Sequence, residues 1–355
     1  MARVCIVEMT PHRLHRLGVA RFRQARVGQP YHGHGTLRHT RPNKTAVHAV
    51  SSQNTEVDTW QRFTDRVVGE WDGVCATFDA DGEARELPEY YVPQAYRDWD
   101  VQLYDWQSQC SMNSTETGLM SVTRRMMPTV GCEADAIAFT EEVPEDLILG
   151  NSNAFYSSDG LATQSPGLVM ADEKSFDCKA EHILSLENDR RIRMVHLLKK
   201  MGPERQWRVQ GIEVHVEKKD SEYHGRRELT GCGGGMDPFA KTERLSMDEV
   251  ATTFETGRSI ASGFQLDGTI VSGDSWDFRA SVAEGMTVVG LPKQCWTAFS
   301  CRQGEDGRVA LRILAGALED DGKSMVVASQ SSLDGVIAEA ALLKVTADAQ
   351  KSPRM

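Results

Sequence analysis

The residues best suited to chemistry lie in one run, ELPEYYVPQAYRDWDVQLYDWQSQC (86–110), where aromatic and acidic side chains interleave. Tyr91, Tyr96, Trp99, Tyr104 and Trp106 would offer flat apolar contact to a ligand, and Asp98 and Asp105 could orient its polar end. If one acid among Asp98, Asp100 and Asp105 were desolvated while another stayed ionised, the set could also act as general acid and base. The plainer alternative is a packed strand and loop whose acids are solvated.

Other chemistries find less support. The eight cysteines form no CxxC pair and no tight Cys/His group, so no metal site is expected. The glycines at 231–235 lack the Lys-Ser/Thr ending of a phosphate loop and read as a connector. No Ser-His-Asp or Cys-His arrangement has local support. Residues 1–54 hold eight Arg, one Lys and a single acid, Glu8, whereas the remainder is strongly acidic. The acidic part argues against nucleic acid as a partner. The Arg-rich, acid-poor start reads as a cleaved transit segment, with a disordered basic tail or a misassigned start as the other readings. No apolar run is long enough to cross a membrane as a helix.

The elements that must position these side chains are mostly strands. Trp60, Phe63 and Val67 fall at helical spacing after Asp58 or Thr59, and Gly69 ends that helix. Beyond it apolar residues alternate, and DADG (79–82), SSDG (157–160), ENDR (187–190) and GEDG (304–307) supply hairpin turns. In WRVQGIEVHVE (207–217) the apolar parity switches at Gly211. A β-bulge there would return Trp207, Val209, Ile212, Val214 and Val216 to one face. His215 would then point outward, solvated, between Glu213 and Glu217. Arg190, Arg191, Arg193, Lys199 and Lys200 are likewise expected on a solvated hairpin face.

Gly69-Glu70-Trp71 matches the G-x-W element with which lipocalin barrels begin, so Trp71 is expected at the barrel base with Arg208 stacked over its ring. The expected fold class is all-β: an antiparallel lipocalin-like barrel over 55–230, a linker at 231–245, and a second, smaller β domain at 246–348. Residues 349–355 read as a tail. In the second domain, SMDE (246–249) reads as a capping box opening a short helix. Trp276, Phe278, Ala280 and Val282 are expected to alternate as a strand, as are Val309, Leu311, Ile313 and Ala315, with VIAEAALLKV (336–345) as the closing strand.

GEWDGVCATFDADG, the 86–110 run, MPTVGCEAD (127–135) and LPKQCWTAF (291–299) together resemble plastid and cyanobacterial proteins of the lipocalin-like domain-of-unknown-function family 3598. The resemblance covers about 56–347. It implies a calycin-type barrel and a plastid address, with the mitochondrion as the alternative, and brings no catalytic residues or ligand. The general architecture is also similar to that of the lipocalin-like bilin lyases. The expected function is therefore a soluble binding protein for a hydrophobic small molecule (a tetrapyrrole, carotenoid or lipid) that serves as an assembly or chaperone factor. The alternatives are a lyase or isomerase acting on such a ligand, and an interaction scaffold with a filled barrel.

Overall fold

The computed structural model describes residues 51–92, 94–115, 118–126, 139–142, 147–148, 153–165, 178–203, 205–227, 238–255, 257–261, 277–282 and 284–348. All lie in the compact unit His48–Met355. Helix α1 (Ser51–Val67) leads through Val68 into β1 (Gly69–Asp79). It starts earlier than the Asp58 or Thr59 cap suggested, but it ends where Gly69 predicts. Gly69 has φ +146°, and a Cβ there would meet the Ser221 carbonyl oxygen at 2.8 Å. Glycine is therefore what lets helix turn into strand in so few residues.

Ten strands form the first sheet: β1, β2 (Asp105–Ser114), β3 (Gly118–Met126), β4 (Phe139–Glu142), β5 (Leu147–Ile148), β6 (Ala154–Tyr156), β7 (Leu161–Gln164), β8 (Cys178–Leu186), β9 (Arg190–Met201) and β10 (Gln206–Ser221). Their order is β4-β3-β2-β1-β10-β9-β8-β7-β6, with β5 also on β3. Every pairing is antiparallel. The sheet curls until its two halves meet across the interior: Met112 and Leu119 share a packed cluster with Ala162 and Ile183. Among the described residues β4 and β6 do not pair with each other, so no described strand closes the barrel along that seam.

Two local signals in the sequence set this curl. The Asn188-Asp189 turn has both residues at positive φ, the hairpin geometry that matches strand twist. The register of β10 on β9 shifts between Val209 and Gly211, the expected bulge. Trp207, Val209, Ile212 and Val214 accordingly lie in one core cluster, with Val216 packed on it. Gly73 serves close approach: a Cβ there would come 2.1 Å from the Val216 carbonyl oxygen. Gly73→Ala is expected to cost about 1–3 kcal/mol through forced separation of β1 and β10; an unchanged thermal midpoint would contradict this.

The outer face of β1, β10, β9, β8 and β7 is covered by a second, six-stranded antiparallel sheet. It comprises β11 (Gly257–Ala261), β12 (Thr287–Leu291), β13 (Cys295–Gln303), β14 (Val309–Leu318), β15 (Ser324–Leu333) and β16 (Val336–Ala347). Val309, Leu311, Ile313 and Ala315 project from β14 into the joint core, as their alternation predicts, and residues 336–345 are a strand. The opposite face of this sheet carries α3 (Met247–Thr253) and α4 (Phe278–Ser281), whose Val250 and Phe278 pack with Trp296. Ser246 caps α3 by accepting from the Glu249 N–H. Phe278 to Ser281 is helix rather than strand, because the Asp277 side chain accepts from the Ala280 N–H and starts a turn; Trp276 lies outside the described residues.

Between the sheets His182 and His196 sit edge to face, 5.3 Å apart, each bonded to a threonine: Thr163 at 3.0 Å and Thr297 at 2.8 Å. Burial disfavours their charged forms, lowering His182 from 6.5 to about 3 and His196 well below 6.5. An unfolded chain would bind these protons nearer 6.5, so their contribution is complete above 6.5 and is lost as the pH falls toward 3. The urea midpoint is expected to decline already between about pH 6.5 and 4.5, before carboxylates titrate; a flat midpoint there would contradict the buried neutral pair.

Candidate functional site

Where α1 meets β1, Trp71 closes the base of the curled sheet. It is buried with Phe63, Val67, Cys110 and Met112. Its indole N–H donates to the Val67 carbonyl at 3.0 Å, one of the helix-end carbonyls that α1 leaves without an internal partner. The cation over its ring is Arg191, with Cζ 3.9 Å from the centroid, and not Arg208. Arg208 is exposed near the far end of β10 and cannot reach the base, because Trp71 stands opposite Lys219, eleven residues further along the strand. Arg191 also donates to the Val67 carbonyl at 3.1 Å, placing positive charge at a helix C-terminus.

Arg191 opens a charged network on the concave face. Register pairs Glu217 with Arg191 and His215 with Arg193 across β10 and β9. Glu217 accepts from Arg191 Nε at 2.6 Å and from Arg193 Nε at 2.9 Å. Arg193 also reaches Thr123 on β3 at 3.1 Å and Glu181 on β8 at 3.3 Å, spanning the interior. His215 bonds Arg193 through Nδ1 at 3.3 Å and Glu213 through Nε2 at 2.7 Å; Glu213 pairs with Arg125 of β3. Burial alone would raise the Glu217 carboxyl, but Arg191 and Arg193 outweigh it and hold it below the usual carboxylate range. Glu213 is held down in the same way, mainly by Arg125. Burial, then Arg193, lowers His215 and keeps it neutral, with Nε2–H donating to Glu213.

This overturns the expectation of a solvated His215 between outward glutamates: His215 is 2% exposed, and Glu217 and Arg193 are each 3%. Arg191, expected on a solvated hairpin face, is fully buried. The bulge places the apolar residues of β10 against the second sheet, and the other parity then falls inside the curl. Both faces of these central strands are covered, so a polar parity is not a wet one.

The expected ligand contacts of 86–110 do not gather around one opening. Tyr96 and Trp106 are buried in a small cluster with Cys75 and Leu87, against which Tyr91 packs, with Tyr91 edge-on to Trp106 at 4.9 Å. Cys75 and Trp106 are opposed on β1 and β2, so this cluster closes the end of the curl away from Trp71. Trp99 is 72% exposed, and Asp98 is exposed at the end of α2 (Gln94–Asp98). Asp100, also exposed, has positive φ in the turn that follows. Tyr104 lies beneath the Lys241 ammonium, 4.6 Å from its centroid. Asp105 is buried and raised to about 6 by burial, but its carboxylate accepts the backbone N–H groups of Phe239 and Ala240 and so anchors that segment to the barrel. No group of three or more metal-ligating side chains occurs among the described residues, and no described helix is long and apolar enough to cross a membrane.

The interior keeps a cavity of about 20 Å³ at the open seam. Met112, Leu119, Ala162 and Ile183 form its apolar wall, and Ser121, Gln164 and Glu181 its polar one. Glu181 joins this space to the network through Arg193. None of the lining residues stood out in the sequence. The signal that could have found the network is the pair of patterns R-x-R at 191–193 and E-x-H-x-E at 213–217, opposite charges on strands that an ENDR turn brings together.

Fold and interior together define an open antiparallel β-barrel with a charged, paired lumen and a second sheet on its outer wall. No family model matches the chain, and none of the curated proteins does. Among solved structures, it is similar to one from Nostoc punctiforme, described as a protein with unknown function from the DUF3598 family. Identity is 13% and the TM-score 0.43, over 81% of this chain and 98% of that one. That is the family whose motifs the sequence resembles. The likeness is too distant to carry residue roles from one chain to the other.

Proposed function

We propose that this chain is a lipocalin-like binding protein that takes the polar end of a lipid-like small molecule into the open seam of its barrel. The observation that carries the reading is the mixed lining of the seam cavity, apolar on Met112, Leu119, Ala162 and Ile183 and polar on Ser121, Gln164 and Glu181. Such a lining suits an amphiphile better than a wholly apolar molecule. Its size points the same way: about 20 Å³ is room for roughly one water-sized group, so this cavity takes a single polar group and does not enclose a pigment. The rest of the ligand would leave through the seam. The basic segment 1–54 and the family resemblance support delivery to a plastid, where the protein would act as a carrier or assembly factor.

The test is native mass spectrometry, with an absorption spectrum, of the chain isolated from its source cells. The expected result is an added mass of lipid size, colourless and extractable into organic solvent. A coloured adduct would contradict the lipid reading, and a bare chain would contradict binding altogether.

A further inference from the structure

Several buried donor groups of the lumen have no hydrogen-bond partner among the described residues, Ser108 Oγ and Arg191 Nη2 among them. Arg191 is fully buried; Nε is taken by Glu217 and Nη1 by the Val67 carbonyl, but Nη2 bonds to nothing among the described residues. A buried guanidinium nitrogen left unsatisfied costs about 1–3 kcal/mol, so such an atom calls for an acceptor from outside the chain. The route to it is short. Arg191 Nη1 lies 3.4 Å from the sulfur of Met112, and Met112 is also a wall of the seam cavity. One flexible thioether side chain separates cavity from guanidinium, and methionine is the apolar residue that repacks most readily.

Charge decides what kind of acceptor fits. Arg125, Arg191 and Arg193 face Glu181, Glu213 and Glu217 in the lumen, and His215 is held neutral between Arg193 and Glu213. Around Arg191 and Arg193 two cations thus meet two anions, Glu217 and Glu181, while Arg125 and Lys179 both act on Glu213. A ligand carboxylate would stand beside Glu217 and Glu181 as an uncompensated buried charge, which costs several kcal/mol. An ammonium group has no lone pair to offer Arg191. An uncharged oxygen acceptor satisfies Nη2 without disturbing the balance.

We infer that Arg191 Nη2, reached past Met112, recognises an uncharged carbonyl or ester oxygen at the head of the ligand. This rests on the proposed seam binding and adds the chemical class of the headgroup. The test is titration calorimetry of the full chain, stripped of lipid, with 2-decanone, decanoate and decylammonium at neutral pH. The ketone is expected to bind at least roughly tenfold more tightly than either charged analogue, the worth of about one hydrogen bond. Arg191→Lys, which keeps the charge but loses the fork, is expected to remove that preference. Met112→Ala leaves the guanidinium in place, opens the route and is expected to tighten ketone binding, so it serves if the lysine variant fails to fold. Equal or tighter binding of decanoate or decylammonium would overturn the headgroup assignment while leaving seam binding intact. Failure of all three to bind would overturn seam binding and the assignment with it.

Discussion

Trp71→Ala is expected to destabilise the fold by about 3–5 kcal/mol, the range for removing a large aromatic from a core that cannot collapse around the loss. The site has little freedom to collapse. Phe63 and Val67 come from α1, Cys110 and Met112 from β2, and the Arg191 guanidinium lies flat on the ring. Alanine would also leave the Val67 carbonyl with only the Arg191 bond and would strip Arg191 of its aromatic support. Trp71→Phe separates these contributions: it keeps most of the ring, loses the indole N–H, and should cost about 1 kcal/mol from the hydrogen bond alone. Urea unfolding followed by circular dichroism measures both. A near-silent Trp71→Ala would contradict the assignment of this residue as the barrel base.

Glu217→Gln should cost a similar amount, about 3–5 kcal/mol, for a different reason. One carboxylate, 3% exposed, answers two buried guanidinium groups, and its neutralisation leaves both short of compensation in a site closed to water. The pH dependence follows with a definite sign. Glu213 and Glu217 are held below the ordinary carboxylate value of 4.5 in the folded chain. Their stabilisation is therefore complete above about 4.5 and is lost as the pH falls further. The Gln variant should show a shallower acid limb than the parent protein. Replacing Arg191, Arg193 and Glu217 together by apolar residues of similar volume should recover much of the loss, because no charge is then left alone. If Glu217→Gln unfolded at the parent's urea concentration, the network would contribute little to the fold.

The strand pattern was legible because it depends on local chemistry. Turn residues at 157–160, 187–190 and 304–307, the parity switch at Gly211 and the Ser246 cap each act within a few residues. The base was legible in part. Trp71 announces itself by its setting after Gly69, but its cation partner depends on which strand curls beneath it, and that is long-range information. The lumen was misread for a physical reason. Alternation shows which parity is apolar; it does not show whether the other parity meets water or the far side of a curled sheet. In β9 and β10 it meets the far side, so Arg191, Arg193, Glu213, His215 and Glu217 are interior. The aromatic run 86–110 was conspicuous, yet residue types could not reveal that Tyr96 and Trp106 plug one end of the barrel while Trp99 faces outward.

The central claim is that the lumen is a buried network of paired charges rather than an apolar cup. It is tested most directly by the arginine Nε–H resonances of the isotope-labelled protein, assigned with Arg191→Lys and Arg193→Lys. Both Nε–H groups donate to Glu217 out of reach of water, so two signals should persist after transfer to heavy water at neutral pH, each vanishing in its own variant. Exchange of both signals as rapidly as those of surface arginines would show a lumen open to solvent and would contradict the account.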